Sequence, residues 1–202
     1  KKEWEEKDQT PLRTMIPEDR RKGFPVRDIL NTIADEDSFL EMKKIFGRSV
    51  ITGFMRIEGR PFAVLANDCQ QLGGAIDSSA ADKAANFIEI CSTHGLPIIS
   101  FVDTPGFMVG PDSEKEGAFR RMGELFKHGA RIKTPLVGII LRRGYGLGAM
   151  AMMGASFVDP IYSASWPNGE FGGMGLEGYV KLGFKKELEA EETEEKKKAL
   201  FD

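Results

Sequence analysis

The segment Pro97-Ile-Ile-Ser-Phe-Val-Asp-Thr-Pro-Gly-Phe-Met-Val-Gly110 joins a short apolar run to a glycine-rich turn. Its first six residues lie between breakers and are typical of a buried strand. The remainder, Asp103–Gly110, is called the first turn. Glycine accepts a positive φ in such a turn and lets a ligand approach the backbone closely. We therefore expect backbone N–H groups at the end of a buried strand, where they can bind an anion.

The same pattern occurs again farther along the chain. Residues 114–131 carry apolar side chains at i, i+3 and i+4 spacing, which predicts a helix. Pro135–Leu141 is a second short apolar run, and it leads into the second turn, Gly144–Gly148, and a small apolar helix over Ala149–Ala155. A strand, a helix and a second buried strand are joined most naturally by a parallel crossover. We therefore predict a β–α–β unit that places both turns at the mouth of the sheet.

Two helices and two strands are predicted before this unit. Val26–Ile33 has apolar residues at helical spacing. Ser49–Ile57 and Pro61–Ala66 are β-prone runs joined by a short connection that contains glycine, which predicts an antiparallel pair. Ser78–His94 has an apolar helical face and possible N-caps at its start, and Gly95 follows as a stop signal.

The two ends of the chain are richer in charge. Residues 1–24 carry charge without periodicity and are predicted to be a linker or an N-terminal arm. After the second turn, Asp159–Trp166 is predicted to be a strand and residues 167–178 a glycine-rich irregular segment. Lys185–Ala199 is predicted to be a charged helix with a solvated face, and residues 191–202 its truncated end.

Composition limits the class of protein. The 202 residues are 41% apolar and 29% charged, with a net charge of -3, which indicates one globular domain without the basic surface that binds nucleic acid. Cys69 and Cys91 lack the spacing of a redox or zinc motif, so we expect two reduced, partly buried thiols. No apolar run approaches the ~18 residues of a membrane helix, and the charged start is unlike a signal peptide. We expect a cytoplasmic or organelle-matrix protein.

Several familiar chemistries lack support in the sequence. The order of Asp103 and Gly106 after an apolar strand suggests a nucleotide hydrolase, but no GxxxxGK[ST] phosphate loop occurs in the chain. We therefore interpret Asp103 as a structural cap or turn residue. His94 and His128 have no acidic residue or nucleophile at an informative spacing, and no metal-ligand spacing is found, so we expect no metal. Backbone donors are the better candidates for the chemistry.

Several phrases of the sequence carry a resemblance to a known family. They are Ser49–Arg60, Ala66-Asn67, Ala80–Cys91, Leu96–Gly110, Arg143–Gly148 and Trp166-Pro167. Over residues 25–190 the chain resembles the C-terminal domain of biotin-dependent acyl-CoA carboxyltransferases, the propionyl-, acetyl- and methylcrotonyl-CoA carboxylase beta-subunit type. The resemblance implies an α/β, crotonase-like superhelix of repeated ββα units.

The resemblance also implies an activity and its partners. The enzyme transfers a carboxyl group from carboxybiotin to the α-carbon of a short acyl-CoA, with biotin carried on a separate domain or subunit and the coenzyme A thioester as substrate. A homologous N-terminal carboxyltransferase domain completes the active site, a biotin carboxylase and a biotin carrier supply the carboxyl group, and family members assemble as trimers of dimers. We expect this chain to be a truncated C-terminal domain that is incapable of full turnover alone.

The site residues implied by the resemblance fall into two groups. The N–H groups that hold the biotin oxyanion belong to Gly146, Leu147 and Gly148, and the biotin pocket is lined by Gly106, Phe107 and Tyr145. Many propionyl-type relatives have Tyr-Gly-Gly-Ala where this chain has Tyr145-Gly-Leu-Gly148, which is closer to the Tyr-Gly-Met-Cys-Gly of methylcrotonyl-type relatives. The sequence therefore leaves the acyl specificity open.

Three alternatives remain at this point. A crotonase-type hydratase, isomerase or thioesterase would need an acidic base, for which Asp112 or Glu114 are candidates, although acidic residues are also expected at a helix start. A biotin-dependent acyl-CoA decarboxylase would use the same chemistry in reverse. A non-enzymatic scaffold would tolerate changes in both glycine turns.

Overall fold

A computed structural model describes residues 2–115, 117–190, 193 and 196, and within them a seven-stranded sheet. The strands are β1 (Leu40–Met42), β2 (Val50–Ile57), β3 (Arg60–Asn67), β4 (Ile98–Thr104), β5 (Leu136–Tyr145), β6 (Tyr162–Ser165) and β7 (Glu170–Gly172). The helices are α1 (Val26–Ile33), α2 (Ser78–Thr93), α3 (Pro111–Lys115), α4 (Ala118–Ala130), α5 (Gly146–Met152), α6 (Leu176–Gly183) and α7 (Lys185–Ala190).

The sheet is antiparallel at one side and parallel at the other. Its order is β1-β2-β3-β4-β5-β6, with β1, β2 and β3 paired antiparallel and the following pairs parallel. The short strand β7 pairs parallel with the last residues of β5, Arg143–Tyr145. The predicted antiparallel pair and parallel crossover are confirmed. Because β4 and β5 run side by side in the same direction, their carboxyl ends, and hence both turns, lie at one edge.

Both faces of the sheet are buried, as a parallel sheet requires. Side chains alternate between the faces with the two-residue period of a strand. Leu65 packs in the cluster under α2 and α4, whereas its neighbours Val64 and Ala66 pack on the opposite face with α1. All seven residues of β4 are buried, so the first turn starts from the centre of the core.

The N-terminal residues, predicted to be a linker or arm, lie along the α1 face of the domain. Ile16 and Phe24 are buried in that cluster. The Lys2 N–H donates to the Gly59 carbonyl at 2.9 Å, and Lys7 Nζ donates to the carbonyls of Asn31 and Ala34. This segment therefore packs on the domain from its first described residues onward.

Some predicted elements differ in the structure. The helix predicted over residues 114–131 is two helices, α3 and α4, because Gly117 between them has a φ of 71° and breaks the helical path. The segment 167–178 is not wholly irregular, since it contains β7 and the start of α6. The helix predicted over Lys185–Ala199 is described only as α7, and its remaining part, with most of residues 191–202, lies outside the described residues.

Candidate active site

The first turn is an ordered loop between β4 and α3. Gly106 and Gly110 have φ values of 130° and 124°, which L side chains rarely adopt. The Ile76 N–H donates to the Gly106 carbonyl at 3.0 Å, and the Met108 N–H donates back to the Ile76 carbonyl at 2.8 Å. The loop is therefore pinned to the segment that leads into α2.

The second turn is much tighter. Strand β5 continues through Tyr145, and helix α5 begins at the next residue, Gly146, whose φ is 58°. The change from strand to helix is thus completed at a single residue. The first N–H groups of a helix have no acceptor within the helix. Gly146, Leu147 and Gly148 are the first residues of α5 and lie at the carboxyl edge of the sheet.

The two turns touch each other at Gly148. A Cβ on this residue would lie 2.7 Å from both the Cα and the carbonyl carbon of Gly106, and 3.0 Å from the Phe107 nitrogen. Real Cβ atoms do not approach backbone so closely. The absence of a side chain at residue 148 is what allows α5 to pack against the first turn.

A cavity of about 300 Å³ lies between the turns. Its walls include every site residue predicted from the sequence: Gly106, Phe107, Tyr145, Gly146, Leu147 and Gly148. The rest of the lining is largely apolar and comes from the first turn, α3 and α4: Pro105, Met108, Val109, Ser113, Glu114, Ala118, Phe119 and Met122. The structure thus brings the predicted residues together around one space with largely apolar walls, next to the N-terminal end of α5.

Beneath the turns lies a buried ion-pair cluster that sequence reasoning missed. Asp103 is fully buried at the end of β4, and its carboxylate accepts hydrogen bonds from Arg142 Nη2 at 2.9 Å and from both Nε and the backbone N–H of Arg143. Burial opposes the charge of Arg143, but Asp103 outweighs it and raises the pKa of that guanidinium. Asp103 is therefore a cross-strand tie between β4 and β5, a structural role as predicted, but in a strand and not in a turn.

Tyr145 makes a hydrogen bond that the sequence did not predict. Its hydroxyl donates to Glu170 Oε2 at 2.7 Å, and the other oxygen of Glu170 pairs with Arg20 of the N-terminal segment. Glu170 is in β7, within the segment predicted to be irregular. No local pattern in the sequence reveals these contacts, because the partners are far apart along the chain.

Other candidate side chains lie elsewhere. His94 caps the C-terminal end of α2, shortly before β4 begins, and is therefore at the opposite edge of the sheet from the turns. Asp112 is exposed and pairs with Lys115, whereas Glu114 lines the cavity. Cys69 and Cys91 are free and buried, as predicted, and burial raises the pKa of the Cys91 thiol to about 12.

The described part of the chain offers neither a cluster of metal ligands nor a membrane-spanning helix. Within residues 2–115, 117–190, 193 and 196, no group of three or more His, Cys, Asp or Glu side chains could hold a metal ion. Over the same residues, no helix combines the length and the apolar character needed to cross a membrane.

Comparison with known proteins identifies the architecture. The chain is 34% identical over 179 residues to the carboxyltransferase subunit of propionyl-CoA carboxylase from Haloferax mediterranei, an alignment that covers 89% of this chain and 34% of that protein. A single-chain, multi-domain long-chain acyl-CoA carboxylase matches with a TM-score of 0.87 and 45% identity, over 98% of this chain and 20% of the other. A transcarboxylase 12S structure, a hexamer assembly with methylmalonyl-CoA and methylmalonic acid bound, matches with a TM-score of 0.88 and 30% identity. This match covers 96% of this chain and 38% of the other.

These likenesses confirm the crotonase-like α/β fold and the family predicted from the sequence. The chain spans about a third of the length of the Haloferax relative. The family model described as "Carboxyl transferase domain" matches residues 1–201. With the model matching nearly the whole chain, the protein belongs to the carboxyl transferase domain family.

Proposed function

We propose that this chain is the C-terminal carboxyltransferase domain of a biotin-dependent acyl-CoA carboxylase, which transfers a carboxyl group from carboxybiotin to the α-carbon of a short acyl-CoA. The observation that carries the proposal is the cavity between the two turns. It combines largely apolar walls with the start of α5, where the first N–H groups have no acceptor within the helix. A relative of this family is described with methylmalonyl-CoA bound, which supports an acyl-CoA substrate.

The residues present fit a biotin ring system. Biotin has apolar ring edges and one strongly polar ureido oxygen. Phe107 and Tyr145 line the cavity with aromatic surface, and Phe107 is held in place by Phe126, with ring centroids 6.1 Å apart. Backbone donors at one end of an otherwise apolar space match one polar oxygen better than they match a phosphate or another multiply charged group.

The chemistry assigned to this chain is electrostatic. Carboxybiotin, when bound, would supply the carboxyl group. The N–H groups of Gly146, Leu147 and Gly148 would hold the ureido oxygen of the biotin ring and stabilise negative charge on it. The helix dipole of α5 adds to the same effect. The apolar walls exclude water and so strengthen these hydrogen bonds.

Exposed apolar side chains around the cavity support a partner domain. Val109 and Phe119 are each 81% exposed, and Leu147 is 63% exposed. We infer that a homologous N-terminal carboxyltransferase domain covers them and supplies most of the coenzyme A site. A biotin carboxylase and a biotin carrier complete the enzyme, in a trimer of dimers that the hexamer assembly of the transcarboxylase relative supports. We place this enzyme in the cytoplasm or an organelle matrix, where the two reduced thiols persist.

The same cavity is compatible with two other reactions, and an activity assay distinguishes them from the proposed one. A biotin-dependent decarboxylase would run the transfer from a carboxylated acyl-CoA to biotin. A crotonase-type hydratase would use Glu114, which lines the cavity, as a base. Hydration of an enoyl-CoA that disappears in Glu114→Gln, without any carboxyl transfer, would replace our proposal by the hydratase.

The direct test compares glycine variants in the full-length protein with its biotin partners. We expect acyl-CoA-dependent carboxyl transfer in the wild type and its loss in Gly146→Val and Gly106→Val, because both glycines have positive φ. Gly123→Val is the matched control, since a Cβ there meets nothing within 4 Å. Undiminished transfer in both turn variants would defeat the proposal.

A further inference from the structure

Glu170 lies at the point where the second turn, the short strand β7 and the N-terminal segment meet. In the register of β7 with β5, Glu170 pairs with Arg143 and Gly172 pairs with Tyr145. The Glu170 side chain is only 16% exposed. Its two carboxylate oxygens have different partners, the Tyr145 hydroxyl on Oε2 and the Arg20 guanidinium on Oε1. Both carboxylate oxygens are therefore engaged.

The ring of Tyr145 is confined on its other side by backbone. A Cβ at Gly175 would lie 3.2 Å from Cε2 and 3.5 Å from Cζ of Tyr145. The ring thus lies against a residue that has no side chain, and its hydroxyl is fixed by Glu170 at 2.7 Å. The packing and the hydrogen bond to a charged acceptor together hold the Tyr145 ring, which is part of the cavity wall, in one position.

Arg20 is the second partner of the Glu170 carboxylate. It belongs to the segment before α1, and a second contact ties that segment to the same place: Arg142 Nη1 donates to the Lys22 carbonyl at 2.6 Å. Arg142 also stacks over the Phe24 ring, with Cζ 4.8 Å from its centroid. The segment around Arg20 is thus fixed to β5, and Arg20 is held near β7.

We propose that Glu170 is a positioning residue for carboxyl transfer, which fixes the Tyr145 ring at the cavity and is itself held by Arg20. The proposal rests on the proposed function, because Tyr145 matters only if the cavity takes biotin. Residue Tyr145 immediately precedes Gly146, so a displaced ring also disturbs the start of α5. In this proposal Glu170 does not contact the reacting atoms, and it acts only through Tyr145.

The first experiment is a double-mutant cycle in the full-length protein with its partners. Glu170→Ala and Tyr145→Phe each break the same hydrogen bond. Loss of a hydrogen bond to a charged group predicts a KM for free biotin, measured in reverse transfer from a carboxylated acyl-CoA, that rises about tenfold in each variant. The double variant should be no worse than the poorer single variant, because coupled residues do not add.

Matched controls isolate this contact. Glu177→Ala and Tyr162→Phe change exposed residues of the same types and should leave the KM for biotin unchanged. If Glu170→Ala and Tyr145→Phe left that KM unchanged while only lowering the melting temperature, Glu170 would be a structural residue and the proposal would be wrong. Additive effects of the two changes would overturn it equally, since they would show independent roles.

The second experiment separates the two partners of the carboxylate. Glu170→Gln keeps an oxygen that can accept from Tyr145 but loses the charge that pairs with Arg20. We expect its KM for biotin to rise less than that of Glu170→Ala, and Arg20→Gln to match Glu170→Gln within about twofold. The neighbouring Arg21, which is also exposed, provides the control Arg21→Gln. An Arg20→Gln variant identical to wild type would remove Arg20 from the proposal.

The outcomes distinguish this inference from the function on which it rests. If the wild type transferred no carboxyl group to biotin, the proposed function would fail. If the wild type were active and Gly146→Val inactive, but the Glu170 variants behaved like wild type, the inference alone would fail. A crystal structure of Glu170→Ala gives a readout independent of activity, since we expect the Tyr145 ring to leave its place beside Gly175.

Discussion

The two glycine turns follow similar strands, yet they contribute different chemistry to the cavity. In the first turn, residues Pro105–Gly110 separate β4 from α3, and its side chains, Phe107 above all, form an apolar wall. In the second turn no residue separates β5 from α5, and the first residues of the helix line the cavity directly. In the function that we propose, the longer turn therefore acts through side chains and the abrupt turn through backbone.

The largest expected effect comes from breaking the tie between β4 and β5, the strands that lead into the two turns. Asp103→Ala would leave Arg142, whose side chain is 3% exposed, buried without its carboxylate. Removing one partner of a buried ion pair costs about 3–5 kcal/mol, so we expect the free energy of unfolding to fall by about that amount. Urea denaturation of the full-length protein measures it. Glu124→Ala, which breaks a surface pair with Lys127, is the control and should cost at most about 1 kcal/mol.

A second substitution acts on the contact between the turns. In Gly148→Val the new side chain would meet the backbone of Gly106, so α5 and the first turn must separate. A shift of about 1 Å in a positioned donor can cost on the order of a hundredfold in rate, and we expect kcat for carboxyl transfer to fall by about this factor. Circular dichroism should still show the helices and sheet. An unchanged kcat would mean that the two turns need not touch for catalysis.

The side-chain role of the first turn is tested by Phe107→Ala. The change removes an aromatic wall and leaves the loop backbone in place. Burial of a phenylalanine side chain is worth about 1.5–3 kcal/mol, so we expect the KM for biotin to rise about tenfold or more, with a smaller change in kcat. Phe46→Ala, at an exposed site between β1 and β2 and outside the cavity lining, should change neither constant. A fall in kcat alone would assign Phe107 to a different step.

The smallest effect is expected at the second turn, in Leu147→Ala. The Leu147 side chain is 63% exposed, and the substitution retains the backbone N–H that we assign as a donor. We expect kcat within about threefold of wild type, because the assigned donor stays in place and only contacts of the side chain with the cavity and the inferred partner domain are lost. Leu147→Pro is the informative counterpart, because proline fits the first turn of a helix but has no N–H. Its kcat should fall about a hundredfold if that donor stabilises an oxyanion.

Local patterns predicted most of the fold and the two glycine turns, and the resemblance to the carboxyltransferase family supplied the individual residues of the cavity. The helix at Val26–Ile33 has the bounds that its apolar spacing predicted, and the two strands that carry the turns were located from short apolar runs. The break at Gly117 was missed because the apolar spacing continues across it. A single glycine does not reveal its φ in the sequence.

The supporting contacts could not be predicted in the same way. Asp103 and Arg142 are 39 residues apart, and Tyr145 and Glu170 are 25 residues apart. Such pairs depend on which strands become neighbours and in which register, and local periodicity carries no information on either. The three-residue strand β7 is also too short to give a periodic signal among glycines.

The contact between Gly148 and Gly106 has a consequence for protein engineering. A library that randomises residue 148 alone would consist mostly of variants in which the new side chain collides with fixed backbone. Useful diversity requires that the loop around Gly106 be varied in the same clones, so that the two segments are selected as a pair. Screening effort on the proposed biotin site is best spent on such linked libraries.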